Sequence, residues 1–153
     1  MPNLICAILT ISDTRTLQDD KSGDLLQQFA LADGHTVAER DLVRDDIYAI
    51  RAAVSNWIAN TAINVVITTG GTGFTGRDST PEALMPLFDK QIEGFGEIFR
   101  QLSYEEIGTS TIQSRAVGGL ANGTLIFSLP GSSGAVTTCL LYTSPSPRDL
   151  YRS

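Results

Sequence analysis

At 153 residues, with 42% hydrophobic and 18% charged residues, the chain has the size and composition of one globular domain that buries a core without disulfide or metal staples. The formal charge of −6 and the lack of a basic run argue against a nucleic-acid partner, and no apolar run reaches the ~18 residues of a membrane span. Cys6 and Cys139 lie far apart and read as small core residues in a reducing compartment; with no charged leader before the first apolar run, the expected location is the cytoplasm.

Leu4 to Ile11 is a continuous apolar run, the pattern of a strand buried on both faces. Ser12 to Gly23 is polar and Asp-rich, hence a loop, and Ser22 is placed to cap a helix carrying Leu25, Leu26, Phe29 and Ala30 and ending at Asp33-Gly34. His35 to Val43 reads as a second strand, with the lone histidine structural. Asp45 or Asp46 then caps a helix with Ile47, Ile50, Val54, Trp57 and Ile58 on its apolar face, leading into a third strand, Ile63 to Thr69.

That strand runs into Gly70-Gly71-Thr72-Gly73, three glycines in four residues, and on through Arg77-Asp78-Ser79 to a capped helix start at Thr80-Pro81-Glu82. Such a backbone turns sharply, and its amides together with the following helix suit an anion. It has no Gly-Lys-Ser/Thr ending; Asp78 stands where a phosphate-binding loop would place lysine, so a phosphate here calls for a metal ion beside the carboxylate. A crossover from strand to helix to strand makes the strands parallel, so the loops after Val43 and Thr69 open at one sheet edge and Asp45 and Asp78 face one crevice.

Further on, Pro86 kinks or shortens the helix that Thr80 begins, and Gly94-Phe95-Gly96-Glu97 opens a longer one with Ile98, Phe99, Leu102 and Ile107. Asn122-Gly123 reads as a tight turn before a buried strand, Thr124 to Leu129, which ends in Pro130-Gly131-Ser132-Ser133-Gly134. The domain is expected to span residues 1–138. Residues 139–153, with Ser144-Pro145-Ser146-Pro147-Arg148-Asp149, break the pattern and read as adaptor-derived or out-of-frame translation, with a native disordered tail as the alternative.

The glycine turn, the two aspartates and the second turn resemble the MogA/MoaB-type molybdopterin adenylyltransferases, to which the G domain of gephyrin is related. Ile11-Ser12-Asp13, Asp20-Lys21-Ser22-Gly23, Thr69 to Pro81, Gly94-Phe95-Gly96-Glu97, Ser114-Arg115 and Leu129-Pro130-Gly131 carry the resemblance, in the family's order over residues 4 to 138. Details such as Glu106-Ile107-Gly108-Thr109-Ser110 look closest to the MoaB branch.

The resemblance implies a three-layer α/β/α sandwich with a mostly parallel sheet, and Mg-ATP-dependent attachment of AMP to the terminal phosphate of molybdopterin with release of pyrophosphate. It implies Asp45 and Asp78 as catalytic and Mg²⁺-holding residues. It implies nucleotide or pterin contacts at Gly70, Gly71, Thr72, Gly73, Ser114, Arg115, Pro130, Gly131 and Ser132, with Ser12, Asp13, Asp20, Ser22 and Gly23 lining the crevice. It further implies a homotrimer or a hexamer built from trimers. A non-catalytic pterin- or nucleotide-binding oligomer of the same family is the competing expectation. By residue type alone, Asp45 also reads as a plain helix cap and Arg115 as a surface ion-pair residue.

Overall fold

The structure, a computed structural model, describes residues 3–72, 78–108 and 115–131. The chain runs β1 (Ile5–Ile11), α1 (Lys21–Ala32), β2 (Thr36–Val43), α2 (Ile47–Ala59), β3 (Val65–Thr69), α3 (Thr80–Leu84), β4 (Lys90–Gln91), α4 (Glu93–Ile107), β5 (Gly118–Ala121) and β6 (Thr124–Leu129). Its six strands form one sheet in the order β2-β1-β3-β6-β5-β4. The first four in that order are parallel neighbours, while β5 and β4 add an antiparallel margin.

Side chains alternate across a strand, and β1 shows the consequence. Cys6 and Ile8 join Leu26, Val65, Ile67, Phe99, Phe127 and Leu129 in one cluster, which takes in residues of α1 and α4. Ala7, Leu9 and Ile11 join Ile50, Val54, Trp57, Val66, Leu84 and Ile126 in a second, which takes in α2 and α3. A sheet with an apolar cluster on each face, each covered by helices, is the expected three-layer α/β/α sandwich. Each fully buried Leu, Ile or Val adds roughly 1.5–3 kcal/mol. Trp57 is core, as its place in the helical pattern requires, and Cys6 is buried.

Some local expectations are corrected. Helix α1 is capped by Asp20, whose side chain accepts from Gly23 N–H, and not by Ser22, which lies inside the first turn. For α2 the cap is Asp46, accepting from Ala49 N–H at 2.8 Å, and Asp45 is left for other work. Pro86 does shorten its helix: α3 gives way at Leu84 to a 3-10 turn, Met85–Leu87. Strands β4 and β5 were not expected. The Gly118-Gly119 pair conceals β5, and glycine is needed there because the Phe88 ring lies over residue 119, where a β-carbon would come within 2.3 Å of it. The boundary expected at residue 138 and the tail beyond it lie outside the described residues.

His35 is structural. Its Nδ1 accepts from Leu4 N–H at 3.2 Å and its Nε2 lies 3.0 Å from Asp33, tying the start of β1 to the turn before β2.

Candidate active site

The carboxyl ends of β1, β2, β3 and β6 open at one end of the sheet. The chain leaves β1 to one side for β2, crosses back past β1 to β3 and continues from β3 to the other side, so the order reverses between β1 and β3, which is where open α/β sheets bind ligands. Past β1, Ser12 N–H donates to Val43 O at 2.9 Å, and Ser12 Oγ accepts the amides of Thr14 and Arg15. Asp13 Oδ1 accepts Asp45 N–H at 3.1 Å, which joins the loop after β1 to the loop after β2.

Asp45 is buried, 9% exposed, and it reaches across to the segment that follows the glycine turn. Its Oδ1 accepts both the backbone N–H of Ser79 at 3.0 Å and the Ser79 hydroxyl at 2.5 Å. Ser79 stands at the N-cap of α3 but makes no side-chain cap bond, because its hydroxyl is spent on Asp45. The second oxygen of Asp45 lies against Gly71, 3.3 Å from where a β-carbon on that glycine would sit.

The turn itself is held from both sides. Gly70 N–H donates to Leu129 O at 2.8 Å, and Thr80 returns to the turn with its hydroxyl on Gly70 O and its amide on Gly71 O. Gly70 and Gly71 have φ of 104° and 69°, and a β-carbon on either would lie 2.2 Å from Ile11 O or Thr80 Oγ1, so only glycine serves. The turn after β6 joins it: Thr69 Oγ1 donates to Pro130 O, and a β-carbon on Gly131 would be 3.2 Å from Gly70 Cα.

Arg115 closes this side. Its amide donates to Thr72 O at 2.9 Å, while its guanidinium donates to Asp78 O at 2.5 Å and to Glu82 Oε2 at 2.6 Å. Arg115 is thus tied to the end of the glycine turn, to Asp78 and to α3. An open cavity of about 470 Å³ lies beside it, lined by Pro81, Glu82, Ile92, Gly96, Arg100 and Arg115 among others.

Of the expected site residues, Ser12, Asp13, Asp45, Gly70, Gly71, Thr72, Asp78, Arg115, Pro130 and Gly131 come together at this edge. Asp20, Ser22 and Gly23 are buried at the start of α1, behind this edge. Asp20 is 0% exposed: its Oδ1 caps α1 while its Oδ2 accepts from Thr10 Oγ1 at 2.5 Å and Arg40 Nη2 at 3.1 Å. Burial opposes the Arg40 charge, but hydrogen bonds to Asp24 and Asp20 and their negative charges outweigh it and push the guanidinium pKa up. Ser22 Oγ donates to Gly131 O at 2.8 Å, so it braces the second turn. Gly73, Ser114 and Ser132 lie outside the described residues.

Two participants escaped the sequence reading. Ser79 and Thr80 look like an ordinary helix start, and nothing in their spacing says that their hydroxyls turn back to Asp45 and Gly70. Arg15, in the loop after β1, has a buried guanidinium nitrogen, Nη1, without a hydrogen-bond partner among the described residues.

No group of three or more His, Cys, Asp or Glu side chains that could hold a metal ion occurs among the described residues. Mg²⁺ binds nucleotides through one or two carboxylates plus phosphate oxygens and water, and the hard oxygens of Asp45 and Asp78 suit it.

Residues 7–149 match the family model described as a probable molybdopterin binding domain. The chain belongs to the MogA/MoaB family. It is 58% identical over 132 residues to molybdenum cofactor biosynthesis protein B of Escherichia coli K12, covering 86% of this chain and 78% of that protein. The crystal structure of a molybdenum cofactor biosynthesis protein B superposes with a TM-score of 0.92 at 45% identity, over 99% of this chain and 93% of the other. The tungsten cofactor synthesizing protein MoaB of Pyrococcus furiosus superposes with a TM-score of 0.87 at 36% identity, over 98% and 96% of the two chains. Most of the described residues that carry the MogA/MoaB resemblance are gathered at the strand ends or lie behind them, whereas Gly94 to Glu97 open α4, where Gly96 and Glu97 line the cavity beside Arg115.

Proposed function

We propose that this MogA/MoaB-family chain serves molybdenum cofactor biosynthesis by adenylylating molybdopterin. A terminal phosphate oxygen of the pterin attacks the α-phosphorus of ATP; the new P–O bond forms as the α–β phosphoanhydride breaks, and pyrophosphate leaves with the electron pair. One observation carries the reading. Asp45 is bound through its carboxylate to Ser79, the residue next to Asp78, although the bonded residues are 34 positions apart. The backbone that carries Asp78 is thereby held beside the Asp45 carboxylate and the glycine turn.

Phosphoryl and nucleotidyl transfer depend on positioning and charge neutralisation more than on covalent help from the protein. The glycine turn offers close backbone approach, and Arg115 is a cation already fixed at Thr72, Asp78 and Glu82. Asp45 and Asp78 would hold Mg²⁺, which, when bound, offsets the charge of the phosphates and of departing pyrophosphate. Asp45 also accepts two hydrogen bonds, which fix its orientation before any ligand arrives. The same reading places the protein in the cytoplasm as a homotrimer or hexamer, and light scattering of the purified chain measures that state.

Incubating the protein with molybdopterin, ATP and Mg²⁺ and following adenylylated pterin and pyrophosphate by mass spectrometry tests the reaction. Both products should appear in equal amounts. Tight binding of pterin and nucleotide with no product would make the protein a binding member of the family instead.

A further inference from the structure

Pro86 has no amide hydrogen, so the carbonyl of Glu82, four residues earlier, has no helical donor to receive. Arg51 of α2 takes that place. Its Nη2 donates to Glu82 O at 2.9 Å and its Nε to Ala83 O at 3.0 Å. A guanidinium presents such donors in a fixed fork, which suits two successive carbonyls. The Arg51 guanidinium lies 6.0 Å from the centroid of the Tyr48 ring on the same helix.

This contact joins the two helices whose N-terminal ends carry Asp45 and Asp78. At one end of the pair, Asp45 accepts from Ser79; at the other, Arg51 holds the carbonyls of Glu82 and Ala83. Helix α3 has only five residues, so its own hydrogen bonds do little to fix where it points. From Glu82 the chain of contacts continues through its carboxylate to Arg115, and from Arg115 to the Asp78 carbonyl.

We infer that Arg51 is a positioning residue for the proposed adenylyl-transfer site: by docking α3 on α2 it keeps Ser79 bonded to Asp45 and Asp78 beside it. The inference rests on the adenylylation reading for its kinetic consequence, while the docking itself is measurable without activity.

Arg51→Ala and Arg51→Lys test it, by amide hydrogen exchange and by steady-state kinetics with molybdopterin and Mg-ATP. In Arg51→Ala, protection of the Ser79 amide should fall about tenfold or more while the amides of β1 and β3 keep theirs, since local opening need not spread to the core. In the same variant kcat should fall roughly tenfold or more, with KM for Mg-ATP within about twofold, because a misplacement of ~1 Å is expensive for transfer. Arg51→Lys, which keeps one donor, should recover part of both losses. Unchanged Ser79 protection in Arg51→Ala overturns the inference, and so does a loss shared equally by β1 and β3. Should the native protein make no adenylylated pterin, the reaction reading fails, and the exchange result alone still decides whether Arg51 holds Ser79 against Asp45.

Discussion

At Asp45 a change to asparagine separates charge from shape. The amide keeps an oxygen for Ser79, so the cross-link between the loop after β2 and the start of α3 survives, while the negative charge is lost. Asp45→Asn and Asp78→Asn should each lower turnover by ~10²-fold or more, the scale of removing a positioned electrostatic contact, with little change in thermal stability. A variant with native turnover at saturating Mg²⁺ removes that aspartate from the mechanism. Gly71 is tested by Ala. The new methyl would meet Thr80 Oγ1 at 2.2 Å in a backbone of positive φ, so about 1–3 kcal/mol of stability should be lost and nucleotide binding with it, measured by urea denaturation and calorimetric titration. Cys6 behaves in a third way. Burial pushes its thiol up to about 11 from an ordinary 9.0, so between those values the folded chain keeps a proton that the unfolded chain has lost. Its linked contribution is whole below pH 9.0 and is lost as pH rises toward 11; urea midpoints of native and Cys6→Ala protein should therefore converge over that window.

Helix α1 begins on an ion pair whose carboxylate is fully buried. Asp20 is fully buried and Arg40, on β2, has a side chain 18% exposed; Asp24, half exposed, makes the shorter contact with Arg40, 2.7 Å against 3.1 Å. Removing Arg40 leaves the Asp20 carboxylate without its charge partner, and Arg40→Ala should cost about 3–5 kcal/mol by urea denaturation. Because Ser22, in the first turn of the same helix, braces Gly131, substrate binding should weaken in step with the loss. This pair also shows what the amino-acid order can and cannot reveal. Apolar runs on β1, β3 and β6 and the spacing of Ile50, Val54 and Trp57 declare buried strands and an amphipathic helix, and from those alone parallel topology brings Asp45 toward the glycine turn. Asp20 and Asp45 are both acidic residues near a helix start, yet one caps a helix beside the half-buried Arg40 and the other leaves capping to its neighbour Asp46. Local spacing does not distinguish them, because the deciding partners, Arg40 and Ser79, arrive from distant elements. Strand β5 stayed hidden for a similar reason: Gly118 and Gly119 make sense only once the Phe88 ring is in place.

Across the whole molecule, the loops after four parallel strands meet at one end, so anything bound there is bound by segments that unfolding would separate. Binding to the native state alone stabilises by mass action: ligand at a hundredfold its Kd adds about 2.7 kcal/mol. For a chain of this size that is a rise of roughly 5–10 °C in Tm. The formal charge of −6, with Asp13, Asp45 and Asp78 all near the crevice, opposes a bare triphosphate, whereas a divalent cation shared between carboxylate and phosphate turns that opposition into attraction. Mg²⁺ alone has no group of three acidic, His or Cys ligands among the described residues, so it should move Tm little. ATP with Mg²⁺ should therefore raise Tm, ATP with a chelator should not, and Asp45→Asn should lose most of the rise while keeping the Tm of the unliganded protein. Thermal denaturation under these conditions checks the scheme directly. An equal rise for ATP with and without Mg²⁺ would mean that backbone amides and arginines hold the nucleotide by themselves, and the aspartates would then lose their place as metal ligands.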